Sequence, residues 1–131
     1  PDPIDTSSLV NEVGRPDSGA TVLFLGTVRD HSSARSGVTH LEYEVYAEVG
    51  EPKIREIVED AAVRWPIVGA AVEHRSGTVS LGEASVAVAV SSAHRDDAFA
   101  AARFIIDELK TRAPIWKKEH WPGGSEWSAG S

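Results

Sequence analysis

No cysteine occurs in the 131 residues. That excludes disulfides, thiolate zinc sites and a cysteine nucleophile, and it agrees with a cytoplasmic location. No apolar run approaches the roughly 20 residues of a membrane-spanning helix, so no membrane association is expected. The opening residues, PDPIDTSSLV, have no basic region followed by an apolar stretch and do not read as a signal peptide. Positive charge is scarce, with 13 Lys+Arg against 20 Asp+Glu and a formal net charge of −7. Nucleic-acid binding rests on phosphate neutralisation and is not expected at that balance. The patterns G-x-x-x-x-G-K-[ST], G-x-G-x-x-G and G-x-S-x-G are absent. His31, His40, His74 and His120 show no metal-ligand spacing with one another or with carboxylates, so no metal is expected; no cofactor is expected either.

What remains describes one ordinary globular domain, 41% hydrophobic and 25% charged, large enough to bury a core. Residues 1–18, rich in Pro, Asp and Ser, read as an N-terminal arm holding a short helix or strand. Residues 19–121 read as the main domain and 122–131 as a C-terminal tail, with Trp127 as an anchor. ATVLFLGTV, Ala20 to Val28, reads as a buried strand whose Gly26 marks a bulge or a close backbone approach. Arg29 to Gly37 has no periodicity and reads as a mobile loop. In THLEYEVY, Leu41, Tyr43 and Val45 alternate with polar residues, the pattern of a half-exposed strand.

Pro52 suits the first turn of a helix. Ile54, Ile57, Val58, Ala61, Ala62 and Trp65 form its apolar stripe, and Pro66 stops it. Residues 68–92 read as two strands around a turn at Leu81-Gly82-Glu83. In the second, Val86, Val88 and Val90 alternate with Ser85, Ala87 and Ala89, and the small-residue face admits a closely packed helix. A further helix starts near His94, with Ser92 as cap and a stripe of Phe99, Ala102, Ile106, Leu109 and Ala113, with Ile105 alongside. Pro114 ends it, and IWKKEHW is a last short strand. The order suggests an α+β fold, two main helices on one face of a mostly antiparallel sheet.

The few cations are concentrated. LKTRAPIWKKEH puts Lys110, Arg112, Lys117, Lys118 and His120 into twelve residues with Glu119 as the sole acid. Strand alternation sends Lys117 one way with Ile115 and Glu119, and Trp116, Lys118 and His120 the other. Lys110 precedes the Pro114 break by one turn, so the chain can fold back and bring it near Lys117. Two close amines hinder each other's protonation, which suits nucleophilic or proton-donating work. The competing reading is a solvated helix end whose cations complement the macrodipole. His94 and Arg95 fall at a helix N-terminus, where free N–H groups favour anions. A surface histidine beside an Arg95–Asp pair is the equal alternative. Arg29 directly follows a strand, a common place for binding residues, though a plain loop cation explains it as well.

FLGTVRDH, LEYEVY, EHRSGTVSLGEASVAVAVSSAHRDDAF and LKTRAPIWKKEHW, in order from about Gly19 to Trp127, resemble the large, catalytic subunit of molybdopterin synthase. The resemblance implies an α/β hammerhead-type fold and a homodimer within a heterotetramer. Each copy would bind a small ubiquitin-like sulfur carrier ending in Gly-Gly. Its C-terminal thiocarboxylate would supply sulfur to convert cyclic pyranopterin monophosphate to molybdopterin, a sulfurtransferase step of molybdenum cofactor biosynthesis. By motif match, Lys110 and Lys117 would be catalytic. Thr27, Val28, Arg29, His94, Arg95, Lys118 and Glu119 would bind substrate, and Phe24 and Ile106 would form pocket wall. His94 and Lys110 are 16 positions apart, about 24 Å along one helix, so a shared site is expected, with His94 and Arg95 from one subunit and the lysines from the other. A non-catalytic anion- or nucleotide-binding module, or a paralogue that only docks the carrier, is the alternative.

Overall fold

The alternating valines and alanines near residue 88 organise the molecule. The computed structural model describes residues 2–32 and 35–129. Ser33 and Ala34 of the expected loop, Pro1 of the arm, and Gly130 and Ser131 of the tail lie outside the described residues. The chain runs α1 (Thr6–Val13), β1 (Ala20–Thr27), β2 (His40–Val45), α2 (Ala47–Arg64), β3 (Ile67–His74), β4 (Gly77–Ser80), β5 (Ala84–Ser92), α3 (Arg95–Arg112), β6 (Ile115–Trp121) and β7 (Gly124–Ala129). The strands form two sheets, β1-β5-β3 and β4-β2-β6-β7, and every neighbouring pair is antiparallel. The α+β, antiparallel expectation is met. The single sheet is corrected to two.

β5 is the central strand of the smaller sheet and is buried on both faces. Val86, Val88 and Val90 pack with Ile57 and Ala61 of α2 and with Ala101, Ala102, Ile105, Ile106 and Leu109 of α3. Ala87 and Ala89 pack on the other side against Leu9 and Val13 of α1. The small-residue face does receive a helix, the short one from the N-terminal arm. Asp5 starts that helix by accepting a hydrogen bond from the Ser8 amide at 3.1 Å. Ser91 Oγ then donates to the Val13 carbonyl at 2.6 Å and fixes its far end to the sheet.

Several boundaries move. Residues 68–92 form three strands, because the chain breaks at Arg75-Ser76 and turns at Gly77, φ 86°. The tail contributes β7, which pairs along β6 from Trp116↔Ala129 to Trp121↔Gly124. α2 begins at Ala47, so Pro52 lies inside it. There it removes the bond its own N–H would have made to the Glu48 carbonyl, and its ring crowds that carbonyl. α3 begins at Arg95, and Ser92 ends β5 instead of capping the helix: its hydroxyl donates to the Pro66 carbonyl at 3.0 Å. Ala62 and Phe99 were expected on apolar stripes, but Ala62 is exposed and Phe99 is 62% exposed. The sheet covers only the part of each helix surface centred on Ile57 and Ile105. β1 is an edge strand, so Phe24 and Leu25 keep partial exposure.

Candidate functional site

A cleft of about 280 Å³ opens where the two sheets approach each other. β1 contributes Phe24, Gly26 and Thr27, and the segment after it adds Arg29, His31 and Ser32. β2 contributes Leu41 and Tyr43, β5 Ser85 and Val86, α3 Ile106 and Lys110, and β6 Lys117 and Glu119. Lys110 and Lys117, from different elements, line the same cleft.

The cation-rich segment is sorted by its geometry. Arg112 turns away to α2, with Asp60 Oδ2 at 2.9 Å and Glu56 Oε1 at 3.0 Å, and also meets Glu108 Oε1 at 3.1 Å. Hydrogen bonding to Asp60, then to Glu108, holds its guanidinium above its ordinary pKa. Lys118 lies over the Trp127 ring, 5.4 Å from its centroid. His120 stacks on His40 at 4.3 Å, with Nε2 3.5 Å from Glu42 Oε1. Only Lys110 and Lys117 of that segment's cations reach the cleft. The expected alternation along β6 holds: Ile115 and Glu119 are buried, and Lys117 lies between them.

Other expected site residues are redistributed. Thr27, Arg29 and Glu119 line the cleft, with Phe24 and Ile106 in its wall. Val28 does not line it. Its side chain is 3% exposed in the cluster with Val38, Leu41, Tyr43, Val79 and Ile115. Its amide donates to the Glu83 carbonyl at 3.0 Å and its carbonyl accepts from the Gly82 amide at 2.8 Å, so its backbone is spent on the β4–β5 turn. Lys118 faces the opposite side of its sheet. His94 and Arg95 are exposed at the start of α3, a continuous 18-residue helix with Lys110 near its other end.

The structure adds residues that sequence reasoning missed. The β1–β5 register goes from Gly26↔Val86 to Thr27↔Ala84, which leaves Ser85 out as a bulge. Its hydroxyl donates to the Gly26 carbonyl at 3.3 Å and interacts with Tyr43. Gly26 is required here, since a Cβ would stand 2.6 Å from Val86 Cγ1. Burial pushes the Tyr43 phenol above its ordinary range; the Ser85 hydrogen bond opposes this and the Glu119 charge adds to it. Tyr43 therefore presents a neutral hydroxyl. Its inward direction was legible from strand alternation, its place beside the lysines was not. Behind it His74 packs edge-on at 4.9 Å. Burial holds His74 below its ordinary range, with an opposing hydrogen bond between Nδ1 and the Arg75 carbonyl.

The cleft can hold an anion: two ammonium groups and a guanidinium face a space containing one carboxylate, in a chain that is acidic overall. Among the described residues no cluster of His, Cys, Asp or Glu is suited to a metal ion, and no helix is long and apolar enough to cross a membrane.

The profile of the MoaE protein family matches residues 1–112. The molybdopterin synthase catalytic subunit of Thermoplasma volcanium is 48% identical over 122 residues, 93% of this chain and 88% of that protein. That of Escherichia coli is 46% identical over 113 residues, 86% of this chain and 75% of that protein. The crystal structure of molybdopterin synthase from Staphylococcus aureus superposes with a TM-score of 0.92 at 35% identity, covering 98% of this chain and 93% of that one. The chain belongs to the MoaE protein family, the family of molybdopterin synthase catalytic subunits.

Proposed function

We propose that this chain is the catalytic subunit of a molybdopterin synthase. It would convert cyclic pyranopterin monophosphate to molybdopterin with sulfur from the C-terminal thiocarboxylate of a small ubiquitin-like carrier. The observation that carries this reading is the convergence of Lys110 and Lys117 with Arg29 on one cleft. The pterin substrate bears a phosphate and the carrier tail ends in an anion, and both need confined cations. Lys110 and Lys117 stabilise charge developing on the thiocarboxylate and the pterin oxygens, with Arg29 holding the phosphorylated substrate. The sulfur arrives with the carrier, so a chain without cysteine can run the reaction, and no cofactor is required.

The site is shared between two copies. His94 and Arg95 cannot reach a small ligand beside Lys110 of their own chain, because α3 runs unbroken between them over about 24 Å. They serve the partner copy's cleft, in a homodimer that carries one carrier on each subunit, in the cytoplasm. The deciding experiment is conversion of the cyclic precursor by purified protein and thiocarboxylated carrier, followed by mass spectrometry. Molybdopterin formation is the expected result. Binding of precursor and carrier without conversion would instead establish a docking paralogue.

A further inference from the structure

Arg35 belongs to the segment between β1 and β2, yet its side chain ends on the far sheet. Its guanidinium lies over the Trp121 ring, 3.7 Å from the centroid. One terminal nitrogen is ion-paired with Glu126 of β7. Its Nε is buried, has no hydrogen-bond partner, and stands 3.9 Å from Oε1 of Glu119 in the cleft. Three contacts on β6 and β7 thus hold one side chain. At its own backbone, the Arg35 carbonyl accepts from the Ser32 amide at 2.8 Å, and His31 bridges to Ser36. His31 and Ser32 line the cleft, as does Arg29 just before them.

We infer that Arg35 is a positioning residue for the cleft, clamping the Arg29–Ser32 segment to β6–β7 and fixing the Glu119 carboxylate beside Lys117. The chemistry favours arginine specifically. A planar guanidinium stacks on an indole and offers separate N–H directions to two carboxylates, which a lysine ammonium cannot do at once. The arrangement places the cation of Arg29 relative to the two lysines. A displacement of about an ångström in such a group can cost up to about 100-fold in rate. Arg35 itself is not among the residues lining the cleft.

This inference rests on the sulfur-transfer reading for its kinetic arm only. The test uses the full chain with thiocarboxylated carrier and compares wild type, Arg35→Lys and Arg35→Met. The Met variant is expected to raise KM for the cyclic pterin about tenfold with a smaller fall in kcat, and the Lys variant to recover part of the loss. Amide exchange of residues 29–32 should accelerate about tenfold in the Met variant while β5 and α3 stay protected. Wild-type KM and wild-type exchange in Arg35→Met would overturn the inference, as would uniform loss of protection across β5 and α3. If wild type fails to transfer sulfur, the function reading falls, and the exchange arm still decides the clamp.

Discussion

Tyr43 of β2 stands directly across the β2–β6 ladder from Lys117, and both side chains line the cleft. Their neighbours on the same face pair as Leu41↔Glu119 and Val45↔Ile115. Lys117 is therefore set in a largely apolar sheet face with a neutral hydroxyl beside it. Lower effective dielectric strengthens the attraction of its ammonium for an anion. Lys110 approaches the same space from the last turn of α3.

Replacing Lys117 or Lys110 with Ala should cut sulfur transfer about 100-fold each, the usual cost of one charge-stabilising group. Lys110 is exposed and Lys117 is half-buried, so the fold should persist. Single-turnover assays with thiocarboxylated carrier, alongside circular dichroism, check both halves. Near-normal turnover in Lys117→Ala would defeat its role.

Mixing Arg95→Ala with Lys110→Ala should restore activity through hybrid dimers. Random exchange makes half the dimers hybrid with one intact site in each, so about a quarter of wild-type activity is expected from a two-fold dimer. Subunit exchange followed by native mass spectrometry establishes that hybrids exist. Hybrids without rescue would show that the site is not shared.

Docking of α1 depends on Gly69. A Cβ there would lie 2.8 Å from the Val13 carbonyl oxygen and 3.2 Å from Val13 Cα, both backbone atoms that cannot swing aside. Gly69→Val should destabilise the protein by about 1–3 kcal/mol, the usual range for overpacking. Thermal unfolding measures the loss, and faster amide exchange confined to residues 6–13 locates it. An unchanged melting temperature would mean that α1 adds nothing to stability.

Acid sensitivity should trace to His74, whose pKa burial holds below the ordinary 6.5. Just under pH 6.5 the unfolded chain binds a proton at this position that the folded protein refuses. Stability therefore falls as pH drops through that window, down to the lowered folded value. The depressed carboxylates act in a lower range: Glu83, held down first by its hydrogen bond from the Ser80 amide, is lost only below its ordinary 4.5. His74→Gln should flatten the fall in melting temperature as pH drops below about 6.5. Equal slopes in variant and wild type would acquit His74.

Much of the architecture was readable because period and punctuation agree with it. Leu41 and Tyr43 alternate inward as strand residues, and Ile57 and Ala61 repeat inward as helix residues. Pro66 and Pro114 end the helices near where they stand. β7 lacks an apolar alternation because residues 124–128 are exposed at the edge of the sheet, and it exists through pairing with β6. Phe99 and Ala62 carry helical periodicity but lie beyond the strip that the sheet covers. Val28 was assigned to the substrate site by motif match alone, and the β4–β5 turn takes up its backbone N–H and carbonyl.

Local chemistry written along the chain settled the two long helices and the strands β1, β2, β5 and β6, that the protein holds neither thiol chemistry nor a membrane-spanning helix among its described residues, and that its rare cations gather near the end. Assignment of those cations to tasks needed long-range packing. Arg112, Lys118 and His120 are neighbours of Lys110 and Lys117 in sequence, yet α2 acids, an indole and a second imidazole take them. Which side chain meets which partner depends on strand register and on the packing of α3 against the smaller sheet and α2. Contacts between residues far apart in the chain fix both, and no local pattern encodes them.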